Sequence, residues 1–144
     1  MRIERLGPGD DGIVAAAGAL FDAPPAAEWT ARFLSSDTHH LLMAFDGRSA
    51  AGFVTGVETT HPDKGTEMFL YELSVGPGHR KRGAGTALVA ALERVARERG
   101  CYGMWVATEP DNAAAIATYR AAGAAGPEAA VVFDWTFGAT RGVG

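Results

Sequence analysis

Apolar positions recur every second residue in some stretches and every third or fourth in others, so the chain reads as strands interleaved with helices. Arg2 to Leu6 is a short strand, and Gly7-Pro8-Gly9-Asp10 then turns into an Ala-rich helix running to about Phe21. Ala23-Pro24-Pro25 marks a helix junction before a second helix that carries Trp29, Phe33 and Leu34 on one side and ends near Ser36. His40 to Ala44 and Ala51 to Thr59 are rich in apolar and β-branched residues and flank Asp46-Gly47-Arg48, which predicts a β-hairpin. The turn His61-Pro62-Asp63-Lys64-Gly65 leads to a third strand, Met68 to Val75, which ends at Gly76-Pro77-Gly78.

The period then changes. Ala84, Ala87, Leu88, Ala91, Leu92, Val95 and Ala96 share one helical face while Glu93, Arg94, Arg97 and Glu98 take the other, and Gly100 supplies the stop. Gly103 to Thr108 reads as a strand, and Asp111 or Asn112 caps a further helix that Gly123 ends. Val131 to Phe137 predicts a last strand with Val131, Phe133, Trp135 and Phe137 on one face, followed by a frayed tail from Gly138 to Gly144. The order predicts an α+β fold over residues 1–144: one domain with a mixed, mostly antiparallel central sheet and helices on both faces.

Composition narrows the class. With 144 residues, 47% hydrophobic and 21% charged, the chain has the makeup of an ordinary globular domain. A formal charge of -4 gives no net attraction for nucleic acid or an anionic membrane and favours small cations as partners. Nucleic-acid binding would rest only on Arg80-Lys81-Arg82. One cysteine, Cys101, cannot form an internal disulfide, and the four histidines do not join it at zinc-ligand spacing, so no metal is expected. The first residues contain no apolar signal core and no apolar run reaches membrane-spanning length, which predicts a cytoplasmic protein with no membrane partner.

The stretch Leu73-Ser74-Val75-Gly76-Pro77-Gly78-His79-Arg80-Lys81-Arg82-Gly83-Ala84-Gly85 carries the chemistry. A strand ends, a basic glycine-containing loop follows and a helix begins, so unpaired N–H groups and the positive helix end converge where glycines let a diphosphate approach. It matches neither a Walker A loop nor a dinucleotide fingerprint. By residue type alone it serves equally as a turn with solvated charges.

Arg80-x-x-Gly83-x-Gly85 after Leu73-x-Val75 resembles the Gln/Arg-x-x-Gly-x-Gly/Ala motif of the GCN5-related N-acetyltransferases, and the element order agrees along nearly the whole chain. The resemblance implies acetyl-CoA as cosubstrate, with its pyrophosphate on the main chain of Arg80, Lys81, Arg82, Gly83, Ala84, Gly85 and Thr86 and its pantetheine arm along Leu73 and Val75. Ala84 stands where the family often has Ile or Leu, which matters little because its side chain is not the contacting group. Asn112-x-x-Ala115-x-x-x-Tyr119-x-x-x-Gly123 resembles the family's later helix, which implies Asn112 and Ala115 at the pantetheine and Tyr119 near the sulfur. Glu67 to Leu73, Glu98 to Val106, Asp111-Asn112 and Ala117-Thr118-Tyr119 are most similar to the short aminoglycoside 3-N-acetyltransferase branch. That implies acetyl transfer to one amine of an aminoglycoside, and antibiotic resistance with it. Relatives also suggest a homodimer.

Glu72 alternates with Tyr71 and Leu73, so the pattern turns it away from both, where a carboxylate can hold an ammonium or take its proton. The resemblance makes Glu72 the base, Tyr119 the acid for the departing thiolate and Asp134 a substrate contact; a salt bridge, a core-edge tyrosine and a plain exposed aspartate are the structural alternatives. Met104 and Trp105 are expected in the strand core, Trp135 in packing, His79 exposed and Cys101 half-buried, with Asp22, Glu28 and Asp37 as surface carboxylates or the lining of a polycation site. The rival activities are acetylation of a polyamine, a peptide N-terminus or a protein lysine, and a non-catalytic acyl-CoA-binding module.

Overall fold

The computed structural model describes residues 1–138. One five-stranded sheet runs in the order β1 (Arg2–Leu6), β2 (His39–Asp46), β3 (Ser49–His61), β4 (Gly65–Val75), β5 (Met104–Trp105). The first three pairings are antiparallel and β5 joins β4 in parallel. A parallel join needs a crossover, and α3 (Ala84–Glu98) supplies it. The β2–β3 turn is the two-residue Gly47-Arg48, with Gly47 at φ 61, the left-handed region that such turns require.

Period two in β2 and β3 divides their side chains between two cores. Leu42, Ala44, Val54, Met68 and Leu70 meet Leu88, Ala91, Leu92 and Ala96 of α3 on one face. Leu41, Met43, Phe45 and Phe53 meet Val14 of α1 (Asp11–Ala16) and Leu34 of α2 (Ala27–Leu34) on the other. Helices on both faces of an α+β sheet are therefore observed. Among the described residues no helix is long and apolar enough to cross a membrane.

Four expectations are corrected. The Ala-rich helix stops at Ala16 and becomes a 3-10 turn at Gly18–Leu20, because Phe21 leaves in an extended conformation to stack on Phe53 at 4.2 Å. Trp29 stays half in solvent at 52%, while Leu34 alone of α2 is buried. The strand predicted for 103–108 shrinks to Met104–Trp105, and Trp105 is 49% exposed instead of core. Residues 131–137 are exposed and join none of the strands among the described residues. A period of two makes a strand only where a partner offers its hydrogen bonds. Of the predicted frayed tail, 139–144 lie outside the described residues.

At the sheet end remote from the basic loop, fully buried His40 binds Glu58 (Nε2 to Oε2, 2.6 Å), which Arg99 also reaches at 2.7 Å. Burial holds His40 below its usual value of 6.5 against the pull of Glu58. Burial pushes Glu58 upward, but hydrogen bonds from His40 and Arg99 outweigh it and leave its carboxyl below the ordinary value. Both groups bind protons more readily unfolded than folded, so their stabilisation is complete above pH 6.5 and is lost on acidification, first through His40 and then through Glu58. Calorimetry should show Tm falling as the pH drops below 6.5, and a His40→Gln chain should lose the upper part of that slope.

Candidate active site

β4 and β5 touch only where they start. Tyr102 N donates to Thr66 O and Met68 N to Gly103 O, and the paired residues end at Phe69 and Trp105. From Leu70 to Val75, β4 has no strand on its β5 side among the described residues, so its main-chain groups open into a wedge. Leu73 and Val75 line the α3 side of that edge: a Cβ on Gly85 would stand 3.8 Å and 3.7 Å from their side chains and 3.3 Å from Thr118 of α4 (Ala113–Ala121). The glycine lets β4, α3 and α4 close on one another at the end of the wedge.

The basic loop follows directly. Gly83 is the N-cap of α3 at φ 81, with nothing within 4 Å of where a Cβ would project, and no side chain caps the helix. The first N–H groups of a 15-residue helix, those of Ala84, Gly85 and Thr86 among them, thus face outward without a side-chain acceptor. Lys81 also lies at positive φ (61). Arg80 Nε donates to Val75 O at 3.2 Å, fastening the loop to the strand, while His79 and Arg82 lie 3.4 and 3.8 Å from Asp46. Bare donors, positive charge around them and no Cβ at Gly83 are the features by which a helix start holds an anion.

Glu72 occupies the opposite face. A bulge sets Thr55 against Glu72 and Gly56 against Leu70, leaving Tyr71 as the extra residue. Tyr71 turns to Phe69 (5.6 Å between rings) and Glu72 accepts from Thr55 Oγ1 (3.2 Å). Glu72 therefore faces away from Leu73, as alternation predicts, but not away from Tyr71, because the bulge absorbs one residue. Burial, helped by the charge of Asp22, outweighs the Thr55 bond and raises the Glu72 carboxyl above its ordinary value.

On α4, Asn112 caps the helix, its side chain accepting from Ala115 N at 3.1 Å, so its oxygen is already engaged. Half-buried Tyr119 packs against the α3-side core, and burial raises its phenol. Asp134 is on the exposed segment past α4. Among the described residues no three His, Cys, Asp or Glu side chains gather as a metal site. Cys101 is half-buried with its thiol raised by burial, which keeps it protonated and unreactive.

A family model described as the acetyltransferase (GNAT) family matches residues 13–124, which include the wedge, the loop and α4. The chain belongs to that family. It is 40% identical over 77 residues to an L-2,4-diaminobutyric acid acetyltransferase of Nocardia farcinica (strain IFM 10152), a match covering 53% of this chain and 38% of that protein. The chain thus spans well under half the length of that relative. In structure it resembles the aminoglycoside acetyltransferase meta-AAC0020 from an uncultured soil metagenomic sample, solved in complex with sisomicin: TM-score 0.87, 20% identity, 94% of this chain and 95% of that one. It also resembles AAC(6')-Iy in complex with the bisubstrate analogue CoA-S-monomethyl-acetylneamine: TM-score 0.81, 21% identity, 94% and 98% covered. At these identities the two likenesses establish the GNAT fold.

The GNAT wedge holds residues that sequence reasoning passed over. Trp105 stacks on Phe69 at 4.4 Å, and with Tyr71 they make an aromatic shelf beside Thr55 and Glu72. Alternation along β4 was the available signal, and the bulge and the short β5 hid it.

Proposed function

We propose that this chain catalyses acetyl transfer from acetyl-CoA to a primary amine of a small polycation, an aminoglycoside before others. The observation that carries the reading is one open strand edge with a bare, basic helix N-terminus at one end and a half-buried carboxylate of raised pKa on the face beside it. Acetyl-CoA supplies the activated acetyl thioester. Arg80 to Thr86 hold the diphosphate, with the Leu73–Val75 edge, Asn112 and Ala115 along the arm. Glu72 holds the incoming ammonium and takes its proton, for which a raised pKa suits it. Main-chain N–H groups on the open edge of β4 hold the charge that develops on the carbonyl oxygen. Tyr119, protonated throughout the neutral range because burial raises it, donates to the departing sulfur from the other side of β4. The shelf of Phe69, Tyr71 and Trp105 offers faces to sugar rings and ammonium groups, with Asp22 adding negative charge.

The 3-amino group is the position that the sequence resemblance implies. A second reading, a diamino acid as acceptor, is favoured by the 40% identity to the Nocardia protein over 77 residues. Both acceptors carry a reactive amine and a second charged group. Thiol release from acetyl-CoA, followed against gentamicin-type and kanamycin-type aminoglycosides, L-2,4-diaminobutyrate, spermidine and a lysine peptide, separates them, and NMR of the product reads the position. Fast turnover with an aminoglycoside is expected; silence throughout with CoA still raising Tm would leave an acyl-CoA-binding module. Because a thiolate leaves fairly well unaided, Tyr119→Phe should lower kcat by only about tenfold and leave the KM for acetyl-CoA nearly unchanged. A fall to the uncatalysed rate would give Tyr119 a larger part.

A further inference from the structure

Two polar side chains among the described residues are buried outright, His40 and Thr55. His40 has Glu58 as its partner at the sheet end remote from the basic loop. Thr55 is 2% exposed in the middle of β3, with Phe53 and Val57 as its neighbours on the same face. A valine has the same outline and no polar atom to desolvate. A hydroxyl taken out of water costs free energy unless it is bonded, so its partner is what accounts for a threonine at this position.

That partner is Glu72, whose Oε1 accepts from Thr55 Oγ1 at 3.2 Å. The β4 bulge brings the two together. Regular pairing onward from Gly56 and Leu70 would set Thr55 against Tyr71 and turn Glu72 toward α3; the extra residue sets Thr55 against Glu72 instead. An ionised carboxylate only accepts, so the hydroxyl donates and the pair has a single arrangement. Among the described residues no other group bonds this carboxylate, which leaves Oε2 free. Asp22, just past the 3-10 turn at Gly18–Leu20, is the charged group that acts on it through space.

We propose that Thr55 is a positioning residue for acetyl transfer: its buried hydroxyl holds Glu72 at Oε1 and so presents Oε2 to the incoming amine. This role rests on Glu72 as the base; the bond between the two side chains does not. A proton leaves the ammonium nitrogen for Oε2, the freed lone pair forms the bond to the acetyl carbon, and the carbon–sulfur bond breaks with its electrons on the departing thiolate. The same hydrogen bond favours the ionised carboxylate, whereas burial and the charge of Asp22 favour the protonated one. Thr55 and Asp22 therefore act on Glu72 with opposite sign, and a change at Asp22 is the control for a change at Thr55.

Thr55→Val keeps the outline of the side chain and removes the donor. Carboxyl-carbon NMR of the free protein, with the Glu72 signal assigned by its loss in Glu72→Gln, reads the pair without reference to activity. Glu72 should titrate at higher pH in Thr55→Val, at lower pH in Asp22→Asn and as in wild type in Thr55→Ser. The acid limb of kcat/KM for the amine should move the same way in each chain. Thr55→Val should also lose about tenfold in kcat on the plateau above that limb, with the KM for acetyl-CoA unchanged, and Thr55→Ser should restore both limb and plateau. A rise of Tm with CoA in every variant checks that each one folds. A threonine that serves packing alone would leave the titration and the plateau in place whatever Tm does, and that result overturns the proposal. A titration that moves while the acid limb stays put removes Thr55 from catalysis. If no chain transfers acetyl to any amine, the acetyltransferase reading has failed and takes the catalytic role with it, and the titration alone decides whether the hydroxyl holds the carboxylate.

Discussion

Glu72→Gln lowers kcat/KM for the amine by about 10²- to 10³-fold, the size of effect that loss of a positioned base produces. The amide keeps the shape and still accepts from Thr55 Oγ1, so the 3.2 Å contact and the bulge that aims the side chain survive. What disappears is the ability to take a proton. With wild type, the rate needs Glu72 ionised and so climbs with pH through a midpoint above the ordinary carboxylate value, since burial and Asp22 raise it. The Gln chain has no such limb. Stability moves the other way: a carboxylate with a raised folded pKa costs stability once it is ionised, so at neutral pH the Gln chain should melt no lower than wild type. Unchanged turnover with an unchanged acid limb would remove Glu72 from the chemistry.

The contrast between what the sequence made legible and what it hid lies in the range of the forces involved. The period-3.6 face of α3, the Gly47 hairpin, the Asn112 cap and the Gly123 stop are local, and each stands where residue type puts it. The basic loop was equally legible, because glycine at φ 81 and three cations in a row are properties of a short segment. The orientation of Glu72 relative to Tyr71 was not, since it depends on a bulge set by the register of β4 against β3. Trp105 was misjudged as core for a related reason: β5 pairs with β4 over only two residues, and Trp105, stacked on Phe69, is left 49% exposed. The first helix ends early to seat Phe21 on Phe53, 32 residues later in the chain, which no helix propensity encodes. Residues 131–137 have the pattern of a strand, yet they pair with none of the five described strands, and residue type does not encode that.

A residue remote from the amine should govern the cofactor edge just as strongly. Gly52 in β3 faces β4, and a Cβ there would stand 2.5 Å from Ser74 O and 3.2 Å from Val75 Cα. Both are backbone atoms of the strand whose other edge opens into the wedge, so relief comes only by moving one backbone against the other, and β4, unpaired on its far side, is the freer to move. Gly56 makes a useful comparison: its Cβ would meet Leu92 Cδ1 at 2.8 Å and Met68 Sδ at 2.9 Å, tips of flexible side chains that can rotate away. Gly52→Ala should therefore cost about 3 kcal/mol, at the upper end of overpacking, and Gly56→Ala about 1 kcal/mol. At roughly 3 °C per kcal/mol for a domain of this size, calorimetry should find Tm lowered by about 10 °C and about 3 °C respectively. The functional signature divides the two further. Displacing Ser74 and Val75 shifts the open edge and the Val75 carbonyl that Arg80 grips, so Gly52→Ala should raise the KM for acetyl-CoA several-fold while the acid limb set by Glu72 keeps its midpoint. An unshifted KM with the same loss of Tm would mean that β3 gives way and β4 holds its place.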